Sequence, residues 1–135
     1  MDKEELQQRL LAFAAAVRVF CEDLRKNPMN RNSVDQLLDC SSSVGANYRS
    51  ACRGRSRAEF IAKLGVAVEE IDESMYWLEL LLNGGAVTPE GIGPYLDEAG
   101  QLRAILAKSY GTAKANHVRN KTKHRTAKSA KSPNR

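Results

Sequence analysis

Apolar residues recur in this chain at alternating intervals of three and four, a spacing that puts every member of a run on one face of an α-helix. Three runs are long. The first is Leu6, Leu10, Phe13, Val17, Phe20 and Leu24, and the second is Val34, Leu37, Ser41, Val44, Tyr48 and Ala51. The third, Ile61, Leu64, Val68, Ile71, Met75, Leu78 and Leu82, is the most regular. A weaker fourth stripe runs through Tyr95, Ala99, Leu102, Leu106 and Ser109. No segment sustains the period of two that a half-buried strand requires.

Punctuation between the runs agrees with helices. Asp2 with Glu5 is a capping box, and Asn27-Pro28 ends the first helix because the residue before proline is pushed out of the α region. The second helix is predicted to begin near Ser33, with Gln36 in capping-box position, and to close at Gly54. Its centre, Ser41 to Ala46, is unusually small, and Gly45 within it points to close packing. Ser56-Arg57-Ala58-Glu59 opens the third helix, and Asn83-Gly84-Gly85 stops it. Thr88-Pro89-Glu90 starts the fourth, whose first turn Gly91, Gly93 and Pro94 are expected to make irregular. Its end is expected between Tyr110 and Asn116.

With 135 residues there is length for one core. The fold class expected is all-α: an antiparallel up-down-up-down four-helix bundle over residues 1–112, followed by a disordered basic C-terminal tail over 113–135. The division follows the charge. Residues 1–112 carry 13 Lys and Arg against 16 Asp and Glu, whereas 113–135 carry eight Lys and Arg and no acid, so the net charge of +5 comes from the tail. That tail has too few apolar side chains to offset the entropy of ordering.

Several function classes lose support. The longest apolar run, Leu10 to Val17, is far short of the roughly 20 residues a spanning helix needs. The opening residues carry no basic n-region, so a cytoplasmic protein without membrane contact is expected. Cys21, Cys40 and Cys52 form an odd set without C-x-x-C spacing and are expected to be buried thiols. The helical segments contain no histidine, which removes the Glu-x-x-His metal pairs of carboxylate bundles and the base of a Ser or Cys triad. His117 and His124 both lie in the basic tail, a poor setting for a metal, so no metal and no cofactor is expected. Glu69, Glu70, Asp72 and Glu73 read as a solvated or subunit-facing acidic patch, and no phosphate-cradling glycine motif is present. The chain reads as a non-enzyme.

Positive charge is the stronger lead. Arg49 and Arg53 share a face of the second helix, Arg55 and Arg57 occupy the turn after it, and Lys63 follows two turns on. In an up-down-up-down bundle this turn and the tail leave from one pole. Together with Lys114, Arg119, Lys121, Lys123, Arg125, Lys128 and Lys131 of the tail, these residues are the candidate contacts to an RNA or DNA backbone. The alternative is that Arg49 and Arg53 pair with acids such as Glu4, Glu5 or Glu59, or sit in a subunit interface. No interleaved aromatics point to base stacking. On the third helix, Tyr76 precedes Trp77, which with Leu81 forms a second apolar stripe that suits either a subunit interface or a deeper core.

Three stretches carry a family resemblance: Ser41-Ser42-Ser43-Val44-Gly45-Ala46-Asn47-Tyr48-Arg49; Arg53-x-Arg55-Ser56-Arg57-Ala58-Glu59-Phe60-Ile61-x-Lys63-Leu64; and Glu73-Ser74-x-Tyr76-Trp77-Leu78-Glu79-Leu80-Leu81. Over residues 34–82 the chain resembles the bacterial four-helix-bundle proteins encoded by intervening sequences of large-subunit ribosomal RNA genes. These are related to Avd, the accessory variability determinant of diversity-generating retroelements. Ser50 stands where the family pattern has a glutamate. The resemblance implies a homopentameric ring without catalytic activity, and, on the Avd side, binding of RNA and of a reverse transcriptase. By matching position it implies packing and interface roles for Asn47 and Tyr48 and a basic surface at Arg49, Arg53, Arg55 and Arg57. The reading is therefore a non-catalytic, oligomeric RNA-binding accessory, the alternative being a structural or protein-binding homo-oligomer with no nucleic-acid role.

Overall fold

The computed structural model describes residues 1–130, with side chains through residue 127. Four helices follow one another: α1 (Lys3–Leu24), α2 (Arg31–Cys52), α3 (Arg57–Asn83) and α4 (Pro89–Ala130), with a short 3₁₀ turn at Pro28–Asn30 before α2. No strand occurs among the described residues.

The helix ends are built from the residues that announce them. Asp2 accepts from the Glu5 amide at 2.8 Å while the Glu5 carboxylate accepts from the Asp2 amide at 3.0 Å, a reciprocal capping box. Ser56 Oγ accepts from the Glu59 amide at 3.1 Å, and Thr88 Oγ1 from the Gly91 amide at 3.0 Å. At the end of α3, Gly85 takes φ +78° while its amide donates to Leu82 and the Ala86 amide to Leu81, the paired bonds of a Schellman turn. Only glycine adopts that backbone without strain.

Three expectations are corrected. α2 begins at Arg31, before Ser33, because the Asn27-Pro28 turn feeds straight into it; the Asn30 side chain donates through Nδ2 to the Leu24 carbonyl at 3.1 Å and so does not cap the helix. Gly91, Gly93 and Pro94 lie within regular helix. So near the start of α4, the missing proline N–H leaves only the Glu90 carbonyl without its intrahelical partner. Lastly, α4 does not end between Tyr110 and Asn116, and the expected disorder from residue 113 is replaced by helix through Ala130. Ala113 is still buried against the bundle, no glycine or proline falls between Gly111 and Pro133, and Thr122 and Thr126 hydroxyls bond back to the carbonyls of Val118 and Thr122. Local helix propensity thus carries the chain onward where tertiary burial stops.

The stripes pack as an antiparallel bundle in which α2 and α4 flank α3, and α1 lies chiefly on α2. Being enclosed on two sides, α3 buries Leu64, Ala67, Ile71, Ser74, Leu78 and Leu81, with Val68, Met75 and Leu82 packed half-buried beside them. Two glycines allow close approach. A Cβ at Gly45 would stand 3.4 Å from the Leu10 Cβ, and one at Gly65 would stand 3.1 Å from the Tyr110 ring.

Fewer groups join α1 to α4. Arg9 grips Glu98 with a fork of two bonds at 2.8 and 2.6 Å, and also donates to Gln101 at 2.7 Å; Phe20 stacks obliquely on Tyr95, ring centroids 4.4 Å apart. The Arg9 hydrogen bond holds the Glu98 carboxyl below its ordinary range. A depressed carboxylate stabilises the fold above the unfolded-state value and loses that contribution as pH falls through the folded-state one. Acid titration followed by circular dichroism should therefore unfold Arg9→Met at a higher pH than the unaltered protein, with the two converging below both values.

Candidate nucleic-acid interface

The hairpin between α2 and α3 and the last part of α4 meet at one end of the bundle. Arg57, the first residue of α3, shares an open cleft of about 460 Å³ with His117, Asn120, Lys121, His124 and Arg125 of α4. Arg57 also borders a second hollow of about 370 Å³, lined by Lys3, Arg55, Ser56 and Phe60. The start of α1 reaches this pole as well, since Lys3 Nζ sits 4.9 Å over the Phe60 ring. A continuous basic rim results, from Lys3 across Arg55 and Arg57 to Arg125.

The charges on this rim are not consumed internally. The ion pairs among the described residues involve Arg9, Arg25, Lys26, Lys63 and Arg103, and none involves Arg49, Arg53, Arg55, Arg57, Lys121 or Arg125. Glu5 is occupied in capping Asp2, and Glu59 faces Lys63 and the Arg55 backbone amide. Of the alternatives for Arg49 and Arg53, pairing with Glu4, Glu5 or Glu59 is thus not found among the described residues. Exposed arginines with no counter-charge keep their guanidinium forks available to phosphate oxygens.

Other candidates fall elsewhere. Lys63 is half-buried, donates to Ser50 Oγ at 2.6 Å and lies 3.5 Å from Glu59, so it ties α3 to α2 and is corrected as a nucleic-acid contact. Ser50 makes this polar contact through its hydroxyl. Arg49 lines a separate groove between α1 and α2, beside Leu11 and Gly45. Lys114 lies 5.5 Å from the Tyr110 ring centroid, Arg119 donates to Asn116 at 2.9 Å, and Lys123 is exposed. Lys128 is within α4 but its side chain, like Lys131 altogether, lies outside the described residues.

Of the interface candidates, Tyr48 and Leu81 are corrected: both are core residues, 5% and 3% exposed. Burial pushes the Tyr48 phenol upward, keeping it neutral, and Leu81 is claimed by the two-sided packing of α3. Asn47 is half-buried and donates to the Ser43 carbonyl and to Glu70 Oε1. Trp77 is packed half-buried, in edge contact with the exposed Tyr76.

A second cluster of acids lies along α2 and α3, apart from Asp2, Glu4, Glu5 and Glu59 at the pole itself. Asp39, Glu69, Glu70 and Glu73 line a groove between α2 and α3. Burial raises the Glu70 carboxyl; repulsion from Glu73 and Glu69 adds to this, against a hydrogen bond from Ser43. Asp72 instead accepts from Arg103 at 2.8 Å. Cys21 and Cys40 are buried, with burial pushing the Cys21 thiol up to about 11, while Cys52 is half-buried. Among the described residues no group of three or more His, Cys, Asp and Glu could hold a metal, and no helix is long and apolar enough to cross a membrane.

Sequence reasoning missed Lys3, Asn120 and the two histidines as lining residues. A signal was present: His117 and His124 are seven apart and continue the stripe of Leu102, Leu106 and Ala113, so a longer α4 carries them along the side that faces α3.

Comparison with known proteins gives one family and a similar solved structure. The family described as 23S rRNA-intervening sequence protein matches residues 3–108. A crystal structure of a protein with unknown function from the S23 ribosomal protein family of Bacteroides thetaiotaomicron VPI-5482 superposes with a TM-score of 0.73 at 30% identity, covering 78% of this chain and 97% of that one. No curated protein matches.

Proposed function

The chain belongs to the 23S rRNA-intervening sequence protein family, and from that premise we propose that it is a non-catalytic accessory protein that binds RNA through the basic pole. One observation carries the reading: Arg57 and the α4 residues Lys121 and Arg125 line a single cleft and have no ion-pair partner among the described residues. When such side chains neutralise phosphates, the cations condensed on the RNA are released, which makes binding favourable and dependent on salt. The matched region ends at residue 108, so the α4 segment that supplies most of the cleft lies outside it.

Titrating labelled RNA at several salt concentrations tests the reading. With Lys3, Arg55, Arg57, Lys121 and Arg125 each meeting a phosphate, the logarithm of the dissociation constant should rise against the logarithm of salt with a slope of about 3.5 to 4.5, at ~0.7–0.9 per contact. No binding, or binding indifferent to salt, overturns it. Service to a reverse transcriptase is the narrower, Avd-like form of this proposal, and co-purification of such an enzyme with the protein tests it.

A second reading, a homo-oligomer built for protein contacts, is favoured by Leu11, Val19, Tyr76 and Leu80, exposed apolar side chains on α1 and α3. The pentameric ring belongs to this part of the proposal, and light scattering on the full chain measures it. The two readings are compatible when the ring displays its basic poles together.

A further inference from the structure

Resting on the RNA reading above, we propose that the cleft between Arg57 and α4 takes the backbone of base-paired RNA in preference to single strands. The cleft is a fixed row. His117, Lys121, His124 and Arg125 lie at helical spacings of three and four on one face of α4, and the eight steps from first to last span ~12 Å at the rise of an α-helix. Arg57, from the first turn of α3, closes the other side. No Asp or Glu follows Glu98, so nothing further along α4 neutralises the row.

The pole offers bases no free Phe, Tyr or Trp ring, leaving only the smaller imidazole and guanidinium planes for stacking. Its two aromatic rings are already occupied, Phe60 beneath Lys3 and Tyr110 beside Lys114, and no Phe, Tyr or Trp follows Tyr110. Proteins that hold unpaired strands without reading sequence rely on aromatic stacking as well as charge. Without it, a single strand has little beyond its phosphates to offer and loses conformational freedom when drawn straight along a rigid row. A duplex already holds its phosphates on a rigid frame, and preorganisation on both sides lowers the ordering cost. Double-helical RNA is recognised by shape, phosphates and 2′-hydroxyls. The imidazoles of His117 and His124 and the amide of Asn120, interspersed with the cations, supply short donors suited to those oxygens.

Fluorescence anisotropy on the full chain, at near-physiological salt, compares a blunt RNA duplex of about 20 base pairs with a polyuridine strand of about 20 nucleotides, lengths chosen against the ~16 base pairs a small duplex-binding module spans. The duplex is expected to bind at least about tenfold tighter. His117→Ala with His124→Ala, two changes at the rim of the bundle, should weaken duplex binding several-fold more than polyuridine binding and so narrow that preference. Equal or tighter binding of polyuridine overturns the inference while the RNA reading stands. Failure to bind either probe overturns both. A duplex preference that the histidine pair does not alter, and that persists in Arg57→Gln, overturns the assignment to this cleft.

Discussion

Leu78→Ala lowers the unfolding free energy by about 2–5 kcal/mol, a large share of the ~5–15 kcal/mol that stabilises a domain of this size. Leu78 is fully buried at one of the positions of α3 shared by both of its neighbours. Removing its side chain therefore opens a void with walls on two fronts, and rigid helices collapse into it poorly. Urea unfolding followed by helix ellipticity measures the change. Leu80→Ala is the internal comparison: Leu80 is 40% exposed on the same helix, and its truncation should cost well under half as much. Equal losses at the two sites would contradict the packing described for α3.

Neutralising the cleft gives the largest functional effect. Each phosphate contact contributes about fivefold to affinity at ~0.15 M salt, from a dependence of ~0.9 per contact. The triple variant Arg57→Gln, Lys121→Gln, Arg125→Gln should accordingly weaken RNA binding by about two orders of magnitude and flatten the salt dependence by ~3. All three side chains are exposed, so the thermal midpoint should hold and report an intact fold. Lys26→Gln removes a charge already paired to Asp23 beyond the other end of α1 and should leave affinity unchanged. An unaltered salt slope in the triple variant would move the binding surface away from this pole.

Much of the fold was legible because its determinants are local. Leu6, Leu10, Phe13 and Val17 announce their face by spacing alone, and Asp2, Ser56 and Thr88 cap helices through bonds spanning three residues. What escaped depended on neighbours. Leu81 looks like a second stripe until α3 is seen to be enclosed on two sides, and Lys63 looks free until Ser50 and Glu59 are found beside it. The end of α4 was misjudged for another reason. Composition after Ala115 argues against a packed core, but a helix needs only backbone bonds and the absence of breakers. The pole was foreseeable from bundle topology, whereas the histidines joined it only once α4 was known to continue past Asn116.

The unequal attachment of α1 has a consequence for how the molecule opens. Its inner stripe rests on α2, while its other flank depends on the Arg9–Glu98 fork and one aromatic pair. A cooperative unit joined on one side detaches before the remainder melts. The bundle thus resembles a three-stave cask with a hinged fourth stave, and amide protons of α1 should exchange with solvent by a partial opening that leaves α2, α3 and α4 closed.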